Sequence, residues 1–282
     1  MARTKEDILE LIRRTPFTWP DSIIHMFVSG SAMHGATGNK PTDTDISGVY
    51  IQPVEMVLGI PQKREPSAAS GSQWFDPDTQ VWSSAGDHNK NSADDIDVNM
   101  YSLRKWAGMA ASGNTTALEF LFVRNMVHDP FTSADETIWE KHIIRNTEHF
   151  ISKRAGFHFI AFAEAMKLRL SGGNTGKHGQ RPELEAEFGY DVKGAMHMLR
   201  VLSEGIELMD TGTITLPRPD ADFLKDVRNG KYTWDHVEEI ANTGFSLLRS
   251  TREQSFLPDE LDRVKVSKII TAAQLEFWGL ER

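Results

Sequence analysis

The chain contains no cysteine. This excludes disulfide bonds, zinc sites with thiolate ligands and thiol nucleophiles. No apolar run reaches the roughly 20 residues that cross a bilayer. The first residues, Met-Ala-Arg-Thr-Lys-Glu-Asp, also lack the apolar core of a secretion signal. We therefore expect a cytoplasmic protein that has no membrane partner.

Positive charge is also scarce, because 31 Lys and Arg residues face 40 Asp and Glu residues, for a net charge of −9. Contacts to phosphates require Lys and Arg, so a protein that coats nucleic acid without specificity is disfavoured. The segment 141–181 is an exception, with eight Lys or Arg residues and only two Glu. This concentration indicates either a polyanionic ligand nearby or a solvated helical face.

The pattern of apolar residues changes near residue 102. Before it, the runs 23–28, 45–51 and 96–101 are typical of strands, and Pro, Ser, Gly, Asn and Asp dominate 61–94. That stretch is predicted to be a long excursion between strands. After it, helices are predicted over 103–112, 115–124, 135–150, 151–170, 190–209 and 234–249 and from 259. The sequence thus predicts an α+β fold, a small mixed sheet followed by a helical unit.

Two carboxylates flank the start of the second predicted strand. Residues two apart in a strand point to the same side, so Asp43 and Asp45 would project together. Such a pair repels unless a cation lies between its members, and hard oxygen ligands suit Mg²⁺ or Mn²⁺. The preceding strand ends at Gly30 and Ser31, where exposed N–H groups and a hydroxyl can hold phosphate oxygens. This combination favours transfer of a nucleotidyl group.

A two-metal site usually needs a third carboxylate from a neighbouring strand. Asp97, which enters the third predicted strand between Ile96 and Val98, is the first candidate. Asp95 is the rival because it lies two residues earlier on the same face, and Asp94 is a weaker one.

These residues resemble a known signature. Gly30-Ser31-x-x-x-Gly35 followed by Asp43-x-Asp45 is similar to that of the polymerase-beta-like nucleotidyltransferase superfamily. Within it, the chain resembles the RNA-repair-pathway polymerase-beta family through further matches: Gly48-Val49-Tyr50-Ile51-x-Pro53, Tyr101-Ser102-Leu103-Arg104-Lys105, Gly113-Asn114, Leu118-Glu119-x-Leu121-Phe122 and Tyr190-Asp191-x-Lys193-x-Ala195-Met196-His197. His34 departs from the pattern, because an aromatic residue is common at its position.

The resemblance implies a catalytic nucleotidyltransferase domain over 1–125. A helical domain over 126–282 would complete the cleft for nucleotide and acceptor. The implied reaction is metal-dependent transfer of NMP from an NTP, the co-substrate, to a hydroxyl, with the 3′ end of an RNA such as tRNA as first choice. Asp43, Asp45 and Asp97 would be catalytic and hold the metal, and Gly30 and Ser31 would contact phosphate.

The helix that begins near residue 191 adds further candidates. Lys193, His197 and Arg200 follow i, i+4 and i+7 spacing and share one face. They predict a cationic stripe that holds the triphosphate, with Lys193 as a point charge on a phosphate. The alternative is an ordinary amphipathic helix with Asp191 as its N-cap.

Three alternatives stay open at this point. The acceptor is a protein side chain or a small hydroxylated molecule instead of RNA, or the chain is an idle module that only binds nucleotide or RNA.

The stretch 171–178, Ser-Gly-Gly-Asn-Thr-Gly-Lys-His, departs from a P-loop at both ends and follows a helix, so we interpret it as a hinge. Nothing in the pattern indicates an oligomeric state.

Overall fold

A mixed β-sheet with helices against one of its faces organises the computed structural model. The structure describes residues 10, 15, 17–37, 43–60, 65–66, 74–85, 95–123, 137–172 and 181–280. The strands are β1 (Ile23–Val28), β2 (Thr44–Tyr50), β3 (Glu65–Pro66), β4 (Trp74–Asp76), β5 (Thr79–Ser83) and β6 (Ile96–Ser102). Their order in the sheet is β1-β2-β6-β5-β4-β3. The predicted strands at 23–28, 45–51 and 96–101 are thus confirmed to within one residue at each end.

The central pair of the sheet is parallel, and every other neighbouring pair is antiparallel. β2 runs parallel to β6, with Asp45 opposite Asp97 and Tyr50 opposite Ser102. β1 lies antiparallel on the other side of β2, so its last residue, Val28, pairs with Ile46 near the beginning of β2. The end of β1 and the beginnings of β2 and β6 therefore meet at one edge of the sheet.

The stretch 61–94 is not a plain excursion. It contains β3, β4 and β5, which continue the sheet outward from β6. The sequence predicted an excursion between strands without assigning strands within it, because two of these strands have three residues or fewer and are too short to show an alternating pattern.

Helices make up most of the chain after β6. Ser102 begins the first of them by accepting a hydrogen bond from Lys105 N, and the chain turns at Gly113 with φ of +82° after that helix ends. The helices are α1 (Gly30–Met33), α2 (Val54–Leu58), α3 (Leu103–Ala111), α4 (Thr115–Glu119), α5 (Lys153–Leu170), α6 (Pro182–Phe188), α7 (Val192–Thr211), α8 (Ala221–Arg228), α9 (Trp234–Gln254) and α10 (Arg263–Phe277). An irregular helical segment, Trp139–Phe150, precedes α5.

Two differences from the predicted helices bear on the cleft. α6 and α8 had no prediction, since each spans only two turns. The interpretation of 171–178 as a hinge falls mostly on residues outside the described ones. The helix predicted from residue 190 is α7, and Asp191 is indeed its N-cap, accepting a hydrogen bond from Gly194 N at 2.9 Å.

The two faces of the sheet belong to different hydrophobic clusters. Ile46 and Tyr50 of β2 pack with Phe17 and Trp82 in the smaller cluster. Val49, on the opposite face of the same strand, belongs to the larger cluster that extends through the helices as far as Ala273. The side chains of β2 therefore alternate between the two faces of the sheet, and its odd-numbered residues lie on the face under the helices.

No helix within the described ranges combines the length and the apolar character that crossing a bilayer requires.

Candidate active site

Three carboxylates meet where the parallel strands begin. Asp45 and Asp97 are the second residues of β2 and β6 and lie opposite each other in the register. Asp43 precedes β2 by one residue. One carboxylate oxygen from each of the three lies within 4.8 Å of the others. Paired residues on neighbouring strands point to the same face, so the geometry that the Asp-x-Asp spacing implied is present.

The other candidates for the third carboxylate differ in position. The carboxylate of Asp95 accepts a hydrogen bond from the Ser84 hydroxyl at 2.6 Å, which draws it toward the loop after β5. Asp94 lies outside the described residues. Of the two that the structure describes, Asp97 is therefore the one that joins Asp43 and Asp45.

Gly30 lets the turn after β1 approach the carboxylates closely. A Cβ atom at this position would lie 2.1 Å from Asp45 Oδ2, and the residue has φ of +65°. The turn is tied to β2 by two hydrogen bonds, from Ser29 N to Asp45 O and from the Ser47 hydroxyl to the Ser29 hydroxyl, both 2.9 Å long. Only glycine meets both the spatial and the conformational demand.

A cavity of about 590 Å³ opens in front of these groups. Gly30, Ser31, Asp43 and Asp45 line it, and helices α5 and α7 supply further parts of its wall. This volume lies within the range of about 300–1,000 Å³ that is usual for small-molecule and cofactor sites.

Cations line the wall next to the carboxylates. Lys193 is open to the cavity and, among the described residues, forms no ion pair or hydrogen bond. The pKa of Lys193 is lowered, chiefly by burial and then by the positive charges of Arg181 and Arg228. The negative charges of Asp43 and Asp45 act in the opposite direction. Lys193 is therefore within electrostatic reach of the carboxylates.

Arg181 and Arg228 add to this charge from two other helical segments. Arg181 donates to Asp191 Oδ2 at 2.8 Å, so the residue that caps α7 also orients a guanidinium at the cavity. Arg228, the last residue of α8, is pulled to a lower pKa by burial and by Arg181, and Asp43 opposes this. Three cations on separate segments thus converge on one group of acids.

The predicted stripe on α7 is more varied than its spacing indicated. His197 is neutral, because burial and then nearby Arg200 lower its pKa to about 3. Arg200 lines the cavity floor, but its guanidinium donates to Glu119 at 2.7 Å and to Glu204 at 2.9 Å. Lys193 is the member of the stripe whose charge is available to a ligand.

Arg200 is the centre of a buried ionic network that reaches the turn after α1. It donates to His34 Nε2 at 2.6 Å, and Nδ1 of the same ring lies 3.0 Å from Glu204 Oε1. Burial lowers the pKa of His34 to about 3; the negative charge of Glu119 opposes this effect and the positive charge of Arg200 adds to it. A neutral imidazole with its proton on Nδ1 satisfies both contacts.

The same network contains a second group of residues whose side chains could hold a metal ion. His34, Glu119 and Glu204 have ligand atoms within 4.8 Å of one another. The guanidinium of Arg200 lies among them, within hydrogen-bonding distance of all three. The position that a metal ion would need is therefore filled by a cation of the chain itself.

The group at Asp43, Asp45 and Asp97 fits a divalent cation better. All of its donors are carboxylate oxygens, which Mg²⁺ and Mn²⁺ prefer, and their separation suits shared coordination. Its metal-binding role, and the phosphate-binding roles of Gly30, Ser31, Lys193, His197 and Arg200, stay predictions.

Several residues of the cavity had no individual prediction. Arg169 falls in the basic segment 141–181, which signalled a polyanionic ligand without pointing to particular side chains. Arg228 belongs to a helix too short to be predicted. Phe162 and Glu119 came to the cavity through helix packing, for which no local signal exists.

The fold and the site define a class of protein. A small mixed sheet that places paired acids beside a Gly-Ser turn, under a helical half, is the arrangement expected of a polymerase beta-like nucleotidyltransferase. Residues 1–243 match the sequence model of the RNA repair pathway DNA polymerase beta family, and the chain belongs to that family. No curated protein and no solved structure matches it.

Replacing Gly30 by alanine should disrupt the site. The added Cβ would meet the Asp45 carboxylate, and its left-handed backbone should lower the free energy of unfolding by about 1–2 kcal/mol. Mn²⁺ affinity, followed by the electron paramagnetic resonance signal of the free ion, should fall about 10-fold or more.

Gly108→Ala is the matched control, because Gly108 lies in helix α3 with nothing within 4 Å of the added Cβ. This variant should gain about 0.5–1 kcal/mol of stability. Equal Mn²⁺ affinity in the two variants would contradict the role assigned to Gly30.

Replacing Arg200 by leucine should leave the buried carboxylates of Glu119 and Glu204 without the guanidinium that pairs with them. Chemical denaturation should show a loss of about 3–5 kcal/mol in the free energy of unfolding. Burial already raises the pKa of Glu119 and Glu204, and loss of Arg200 raises it further. Because the folded variant then holds protons that the unfolded chain releases, its deficit should grow from pH 5 to pH 8.

Arg249→Leu serves as the control for this change. Arg249 pairs with Glu164 on the surface, where both side chains are about half exposed. Removing an exposed pair should cost about 0–1 kcal/mol with little dependence on pH. A loss in Arg200→Leu that is equally small, or that shrinks as pH rises, would overturn this account.

Proposed function

We propose that the protein transfers the NMP moiety of an NTP to a hydroxyl group, with the 3′ end of an RNA as the acceptor. The observation that carries the proposal is the convergence of Asp43, Asp45 and Asp97 beside Gly30, with Lys193 on the wall of the adjoining cavity. Acids for a divalent cation and a separate cation for phosphate are the two requirements of nucleotidyl transfer.

The proposed step is a substitution at the α-phosphorus. The acceptor hydroxyl oxygen forms a bond to this phosphorus, the bond from it to the bridging oxygen breaks, and pyrophosphate leaves. Asp43, Asp45 and Asp97 would hold a divalent cation, which would activate the hydroxyl and neutralise charge on the phosphates. Asp97 accepts the hydroxyl proton and releases it to solvent.

The side chains divide the work of binding and orientation. Asp43 and Asp45 hold the cation side by side, and the Gly30-Ser31 turn contacts phosphate oxygens next to them. Lys193 lines the same cavity and binds a phosphate as a point charge, with support from Arg181 and Arg228. Arg200 acts through Glu119, Glu204 and His34 by holding the turn in place.

RNA is favoured as acceptor by the family description, which refers to RNA repair. Two members of the basic segment 141–181, Arg169 and Arg181, line the cavity. A polynucleotide end that enters there would meet positive charge in a chain that is acidic overall.

The first test is metal-dependent labelling with an [α-³²P]NTP. Purified protein with Mg²⁺ or Mn²⁺ should label an acceptor, and Asp45→Asn should reduce the rate by at least about 100-fold because a metal ligand is lost. Asp210→Asn removes an exposed carboxylate at the far end of α7 and should leave the rate unchanged. Labelling that survives in Asp45→Asn, with circular dichroism unchanged, would remove the proposed mechanism.

The same assay identifies the acceptor. Each of the four labelled NTPs is offered first with total RNA and then with protein lysate. If RNA is labelled, and RNA whose 3′ ends were oxidised with periodate before the assay is not, the result supports the proposal. Label confined to protein would replace the RNA end by a protein hydroxyl as the acceptor.

Lys193 provides a test of phosphate binding that does not depend on turnover. Lys193→Met keeps the length of the side chain and removes its charge, so the affinity for Mg²⁺-tripolyphosphate should fall about 10-fold or more by calorimetry. Lys268→Met, an exposed lysine on α10, should bind as the wild type does. Unchanged affinity in Lys193→Met would contradict its role.

A further inference from the structure

One part of the cavity wall is aromatic and apolar. Phe162 and Met166 of α5 face it, and so do Met196 and His197 of α7. The rings of Phe162 and His197 lie 5.5 Å apart between centroids, at 59° to each other. Phe162 is 39% exposed and lines the cavity.

His197 is suited to contact the polar edge of a ligand that binds at this part of the wall. Within the described part of the chain, neither of its ring nitrogens makes a hydrogen bond. The pKa of His197 is about 3, so the ring is neutral at physiological pH and offers one donor and one acceptor. A planar ligand with a mixed donor and acceptor edge matches these properties.

The spacing of Lys193 and His197 along α7 fits a single bound nucleotide. His197 follows Lys193 by one turn on the same face of α7, which is about 6 Å along the helix axis. Lys193 faces the acids and the phosphate end, and the sugar of a nucleotide separates its phosphates from its base by a similar length. Arg169, which follows Met166 on α5, lies close enough to His197 to contribute to its electrostatics.

We propose that Phe162 and His197 form the nucleobase subsite for the NTP, in which the base stacks on the open part of the Phe162 ring and His197 hydrogen-bonds to the base edge. The inference rests on the proposed function and adds where the base binds. Stacking on Phe162 tolerates any base, whereas His197 distinguishes between them. The base of an acceptor RNA end has the same chemistry, so the experiment uses NTP without RNA.

Calorimetric titration of the protein with each NTP and with tripolyphosphate, all with Mg²⁺, tests this assignment. Phe162→Ala should weaken the tightest NTP about 5- to 150-fold, the range found when a stacking aromatic is removed. Its affinity for tripolyphosphate, which has no base, should stay within about 2-fold of the wild type, because the Lys193 end is unchanged.

Two further variants sharpen the result. Phe157→Ala removes an exposed phenylalanine from the same helix, outside the cavity, and should bind every ligand as the wild type does. His197→Phe keeps a ring for packing and removes both polar atoms. It should narrow the ratio between the tightest and the weakest NTP about 5-fold or more, because a base-specific hydrogen bond is lost.

The outcomes separate this inference from the proposed function. If Phe162→Ala binds NTP as tightly as the wild type, or loses tripolyphosphate to the same extent, the subsite is overturned while the proposed function stands. If Phe162→Ala keeps its affinity for NTP and loses affinity only for an RNA end, the subsite belongs to the acceptor and the inference fails. If wild-type protein binds neither NTP nor tripolyphosphate, both fail together.

Discussion

The arrangement of the site depends on the buried ionic network around Arg200. Its guanidinium joins α4 through Glu119, α7 through Glu204 and the turn after α1 through His34. Burying these charges is costly unless each has a partner, so the contacts form together or not at all. The turn after α1, the short helix that begins with Gly30 and Ser31, is thereby held at a fixed position relative to the helical half.

Backbone contacts reinforce this attachment. Arg218 N donates to His34 O at 3.1 Å, and Gly35 packs so closely that an added Cβ would lie 3.2 Å from Pro217. The turn after α1 is therefore fastened to the segment before α8, and α8 in turn brings Arg228 toward Asp43. The acids come from the sheet and the cations from the helices, so the electrostatic balance of the site exists only when the two halves pack together. The division of the chain at residue 125 stays a prediction, since the larger hydrophobic cluster contains residues from both sides of it.

Local patterns account for what could be predicted from the sequence. Strand β1, the Gly-Ser turn and the Asp43-x-Asp45 spacing lie within about 25 residues, and a period of two fixes which side chains share a face. Asp97 required only one additional strand. In contrast, Phe162 and Arg228 reach the cavity through packing between distant helices, and the partners of Arg200 lie up to 166 residues away along the chain. Contacts of that kind leave no local period, which is why the stripe Lys193, His197 and Arg200 was predicted as three similar cations.

His34 shows how a departure from a family pattern acquires a physical meaning. An aromatic residue at this position would need only apolar neighbours, whereas a buried imidazole requires hydrogen-bonding partners. In this chain Glu204 and Arg200 supply them, and the neutral tautomer matches one acceptor and one donor. The residue after the phosphate-binding turn and the middle of α7 are consequently coupled. Lys193 and His197 lie on α7, as Arg200 and Glu204 do. A change at His34 should therefore shift the helix that we expect to bind both the phosphate and the base.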